Sequence, residues 1–173
     1  MASNIQQAKL AGFAVRDPRI SRAELLQFES CYQANRHRVY ALAFWMTDNE
    51  ISAEELMRSV FLRVFATGKQ ASTELVDRAL VSELRQISPL GTLTLECQPV
   101  TSVLNVRHNI KRTHLEGAVM QVPRTERLVF LLHDVEGYEH SQIVKLLGLS
   151  LAESQQALHQ ARLRVRELVS EMN

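Results

Sequence analysis

Gln155, Gln156, Arg162, Arg164 and Arg166 lie in one short stretch near the end of this 173-residue chain. A glutamine amide can bond two groups on an adenine edge at once, and an arginine meets phosphate with a planar fork of donors. On a single helix these residue types offer contact with DNA, bases through the glutamines and backbone through the arginines. Glu153, Glu167 and Glu171 stand among them and bring the local charge near zero. The ordinary alternative is a solvated helix face. Elsewhere reactive constellations are sparse. His133, Asp134 and Glu136 are close together but lack the spacing that puts two metal ligands on one helical face. No Gly-rich phosphate loop and no Ser or Cys nucleophile motif occurs, and Cys31 and Cys97 form no paired motif. We therefore expect no enzyme, with no catalytic residue, metal or cofactor.

The elements that must position the C-terminal residues can be read from punctuation. Pro123 suits the first turn of a helix running through Val129 and Leu132, Gly137 marks a turn, and Gly148 marks a second. A longer helix follows, with Ser150 and Glu153 spaced as a capping box and Leu158, Ala161, Val165 and Leu168 as its buried side. This is the pattern of a helix-turn-helix, whose last helix usually enters the major groove.

Upstream, Ser21 with Glu24 and Ser52 with Glu55 repeat the capping-box spacing. Leu25, Phe28 and Tyr32 share one helical face, continued by Val39, Leu42 and Met46. Leu56, Val60 and Val64 with Phe61 and Phe65 form a broad apolar stripe. Tyr40, Phe44 and Trp45 are expected in the core of this first hairpin. Residues 73–86 are helix-compatible, and Pro89, Gly91 and Pro99 then bracket a nearly uncharged segment that we assign as a linker. The expected fold is all-α: an extension over 1–20, a helical domain over 21–88, a linker over 89–105 and a helix-turn-helix domain over 106–173, the two domains being separable.

A net charge of +1 leaves no global field to draw the chain onto nucleic acid, so any DNA contact needs a local patch. No run is long enough to cross a bilayer, and the first residues lack a signal-peptide core, which points to the cytoplasm.

Two stretches resemble the extracytoplasmic-function class of bacterial RNA polymerase sigma factors. Phe28 to Tyr32, Arg38 to Ala43 and Ala53 to Phe65 look like region two, which docks on the polymerase clamp; Leu115 to Leu168 looks like region four, which reads the upstream promoter element. The resemblance implies core RNA polymerase and promoter DNA as partners, with an anti-sigma factor as a further candidate and no membrane. It places the polymerase dock at Glu54, Glu55, Arg58, Ser59 and Leu62. It places the DNA contacts at Ser150, Ser154, Gln155, Gln156, His159, Gln160, Arg162 and Arg166. Glu55 and Arg58, three apart, would equally suit a surface ion pair.

The chain also departs from that family. The segment after the region-two dock should carry a Trp, other aromatics and basic residues on which flipped bases stack. Here no Phe, Tyr or Trp occurs between Phe65 and Phe130, and Glu74 to Gln86 offers only Arg78 and Arg85 as cations. In the recognition helix, family Lys and Arg positions are held by Gln155, Ala157 and Gln160. Two functions follow: a sigma-like initiation factor, or a degenerate sigma-like module that binds polymerase or a regulator without reading a promoter.

Overall fold

The structure, a computed structural model, describes residues 21–68, 70–95 and 111–172. The expected 1–20 extension, most of the linker and the first residues of the C-terminal domain lie outside the described residues. Those described form α1 (Arg22–Thr47), α2 (Glu50–Ala66), α3 (Thr73–Ile87), α4 (Arg112–Gln121), α5 (Arg124–Phe130), α6 (His140–Leu147) and α7 (Leu151–Glu171), with no strand. A π-helical turn, Leu131–Val135, extends α5.

The helix starts follow from orphan amides needing acceptors. Ser21 caps α1 reciprocally with Glu24, and Ser150 caps α7 in the same way with Glu153. The capping box expected at Ser52 does not form. α1 ends at Asp48 with φ 56°, and the chain turns so tightly that Asn49 takes the cap, its Oδ1 accepting the Ser52 amide at 2.9 Å. Asn caps as well as Ser does, so Ser52 falls inside α2.

α1, α2 and α3 pack as one unit; α7 is packed by α4, α5 and α6 in a second. Val39, Leu42 and Met46 of α1 close on Val60 and Val64 of α2 and Leu84 of α3, all nearly without exposure. The two units also touch, α1 against α5 and α3 against α6.

Residues 89–95, expected as part of an exposed linker, are instead bound. Ser88 is buried, and Leu90 and Leu93 pack against the core. The Gly91 amide donates to Thr125 Oγ1 at 3.3 Å, and the amides of Thr94 and Leu95 donate to Glu126 Oε1 at 2.5 and 2.8 Å. An uncharged segment has no solvated side chains to hold it off the protein, and its amides find acceptors at the start of α5. Gly91 adopts φ +100°, a conformation reserved for glycine. Tyr40, Phe44 and Trp45 are half-buried rather than core, lining an open groove with Met120 of α4.

Candidate DNA-contacting and protein-docking faces

α7 is buried along Ala157, Leu158, Ala161, Val165 and Leu168, as its period demands, and its opposite side is open. Gln155, His159, Arg162 and Arg166 are exposed at helical spacing and share that side; Ser150 is exposed at its head and Gln156 is half-buried beside it. Ser154 and Gln160, expected among the DNA contacts, turn inward. Ser154 has no exposure and lies 2.9 Å from His140 Nδ1, and Gln160 is 6% exposed. The reason is geometric. Ser154 is one turn from Leu158 and Gln160 is beside Ala161, so both ride the packing stripe.

The cations of this face are largely engaged. Arg162 forks onto Asp134 through Nε at 2.8 Å and Nη2 at 2.6 Å, and Arg164 pairs with Glu167 at 3.2 Å. Arg166 has no ion pair among the described residues. The Arg162 guanidinium holds the Asp134 carboxyl below its ordinary value, against the upward push of its partial burial, and His133 adds a bond at 2.9 Å. The π turn accommodates this arrangement. Its wider ring is closed by the Glu136 amide on Leu131 O, the Tyr138 amide beyond it donates to Leu132 O, and the turn carries His133 and Asp134 towards α7. Burial and the neighbouring His133, whose ring centre is 4.8 Å away, keep the His140 pKa below its ordinary value. Periodicity could not reveal this network, because π turns have no sequence signature.

The second face lies on α2. Ala53, Leu56, Val60 and Val64 point inward, while Glu54, Glu55 and Arg58 are exposed and Ser59 is half-buried. Ile51 at 71% and Leu62 at 47% exposure extend the same stripe. The Glu55–Arg58 ion pair expected on spacing alone is absent, and these charges are free of ion pairs among the described residues.

α3, which by resemblance would engage promoter DNA, is buried along one side while Glu74, Arg78, Arg85 and Gln86 stay exposed. Val76, Asp77, Ala79, Leu80, Val81 and Leu84 are all buried. Arg78 pairs with Glu74 at 2.6 Å, and Arg85 donates to the Leu147 carbonyl of α6 at 2.8 Å. The contacts that close the units on one another escaped the sequence reading altogether. Arg38, Asp77 and Tyr138 meet from positions 61 and 100 residues apart. Buried Arg127 donates to the carbonyls of Val122 and Trp45, each at 3.0 Å, and to that of Met120.

Known proteins resemble this chain in sequence and in fold. Residues 114–165 match the family model "Sigma-70, region 4". The chain is 22% identical over 174 aligned positions to the extracytoplasmic-function RNA polymerase sigma factor SigE of Mycolicibacterium smegmatis, covering 92% of this chain and 68% of that one. Its fold is similar, at a TM-score of 0.61 and 15% identity, to the sigma factor RpoE from Bartonella quintana solved in complex with the anti-sigma factor NepR. That match covers 82% of this chain and 96% of RpoE.

Proposed function

We propose that this chain is an extracytoplasmic-function sigma factor, a reading these similarities support, and a transcription initiation factor that docks on core RNA polymerase through α2 and meets promoter DNA through α7. The observation that carries the reading is the exposed α7 face, Gln155, His159, Arg162 and Arg166, within the residues that match region four. A side chain must stand clear of the core to reach a base edge or a phosphate. On α2, Glu54, Glu55 and Arg58 offer charge beside the exposed Ile51 and Leu62, the mixed composition of a docking face. An anti-sigma protein, the kind of partner bound by RpoE, is the proposed regulator.

Co-purification with core polymerase, followed by promoter-dependent transcription from the reconstituted complex, tests the reading. Polymerase binding without promoter-directed transcripts would replace it with the second one, a sigma-like interaction module. That alternative is favoured by the contacts of Tyr138 and Leu147 with Asp77 and Arg85 of α3, the absence of aromatics between Phe65 and Phe130, and the pairing of Arg162 and Arg164.

A further inference from the structure

Three side chains from three separate elements meet at the joint between the units. The Tyr138 hydroxyl, in the connection between the π turn and α6, donates to Asp77 Oδ2 at 2.6 Å. Arg38 of α1 donates through Nη1 to the same hydroxyl at 2.6 Å, and its Nη2 lies 2.6 Å from Asp77 Oδ1 and 3.0 Å from Asn35 Oδ1. The guanidinium carbon sits 5.7 Å from the centre of the Tyr138 ring. The Arg38 and Asp77 side chains are 15% and 9% exposed. Phenol, guanidinium and carboxylate thus engage one another by two hydrogen bonds and an ion pair where water is scarce, the setting in which polar networks are most sensitive to losing one member. Burial and Asp77 together raise the phenol's pKa, keeping its proton available for donation.

At the other end of the same α3 face, Arg85 holds the Leu147 carbonyl, and Arg124 of α5 reaches back to the Ile87 carbonyl at 3.3 Å. Val81, one turn from both Asp77 and Arg85 and 3% exposed, lies between these two attachments.

We propose that Arg38, Asp77 and Tyr138 form an intramolecular latch that holds the C-terminal unit over α3, so that the α3 face becomes accessible only when the latch opens. This adds a regulatory step to the proposed initiation factor, but the latch itself depends only on the contacts above. An external partner acts on it by favouring either the closed or the open arrangement.

The test uses the full chain with Cys31→Ser and Cys97→Ser, and Val81→Cys as a probe whose thiol-labelling rate follows the population of the open form. In a second chain, Ala161→Cys, at a position without exposure in α7, reports global unfolding. Tyr138→Phe keeps the ring and removes both hydroxyl bonds. We expect it to speed labelling at position 81 roughly five- to tenfold, the effect of losing one or two net hydrogen bonds, while the rate at 161 stays constant. Asp77→Asn should act in the same direction and decides the matter if Tyr138→Phe does not fold. An unchanged rate at 81, or a rise matched at 161, overturns the latch. If labelling at 81 rises while neither the variant nor wild type binds core polymerase, the latch stands and the polymerase reading of α2 fails.

Discussion

Replacing Arg127 should weaken the fold far more than replacing its neighbour Arg124. Arg127 is 9% exposed, and its Nε, Nη1 and Nη2 reach the carbonyls of Val122, Trp45 and Met120. It therefore ties the α4–α5 turn to itself and to the end of α1. Burial, with Arg124 nearby, draws its pKa below the ordinary guanidinium range, the mark of a charge taken out of water. Hydrogen bonds made by a charged donor are each worth about 1.5–3 kcal/mol net. Their sum overstates the loss, because Arg127→Ala also removes the cost of burying the charge, several kcal/mol. We expect a net loss of about 3 kcal/mol, within the range for breaking a buried network. For a chain of this size that lowers Tm by roughly 6–12 °C. Arg127→Lys should recover little, since one ammonium cannot fan out to three carbonyls. Arg124→Ala removes a single exposed 3.3 Å contact and should change stability by no more than about 0.5 kcal/mol. Thermal melts followed by circular dichroism read all three. An Arg127→Ala protein melting within about 2 °C of wild type, or full recovery by Lys, would refute the reasoning.

Further expectations concern the two faces. Charge reversal at Glu54 and Glu55 should weaken polymerase binding in a pull-down while stability stays within about 0.5 kcal/mol; undiminished binding would place the dock elsewhere. Asp134→Asn frees Arg162, so the slope of log affinity for duplex DNA against log salt should steepen by about 0.9, one added phosphate contact. An unchanged slope would mean that Arg162 does not reach DNA. His140 has a lowered pKa, so the folded state prefers it neutral. Its stabilising contribution is complete above the ordinary value of 6.5 and is lost as pH falls below it towards the folded-state pKa. Asp134, also lowered, acts in the same sense at more acid pH, below its ordinary 3.8. Melting temperature should thus fall between pH 7 and 5, and His140→Gln should remove that step; a step that survives the substitution belongs to another group.

The longer helices were legible because they carry their own evidence in adjacent residues, an acceptor at the start and an apolar stripe along their length. Ser150 and Glu153 are three residues apart, and the α7 stripe repeats within one turn. Ser52 misled because Asn49, also a good cap, stands just upstream at the exit of a left-handed turn. Ser154 and Gln160 were legible in principle, since counting by helical period from Leu158 and Ala161 turns both inward. The bound segment 89–95 was not legible: its hold depends on Thr125 and Glu126, more than thirty residues away. The same separation hid the meeting of Arg38, Asp77 and Tyr138. Local pattern fixes which face of a helix is polar. It does not state which distant residue will neutralise that polarity.

That distinction bears on the missing aromatics. A helix that stacks flipped bases needs large flat side chains standing clear of the protein. A helix packed on two sides needs small and aliphatic ones that let its neighbours approach. α3 has the second composition, with Val76, Ala79, Leu80, Val81 and Leu84 buried and its one buried carboxylate, Asp77, matched by Arg38 and Tyr138. An Asp left unpaired on a DNA-facing surface would repel phosphate; here it is the centre of the joint. The departures of α3 from the sigma-factor pattern are therefore more than losses. They suit a face that spends the closed state covered. The free charges of α2 and the open side of α7 remain outside that joint, available to partners before the latch opens.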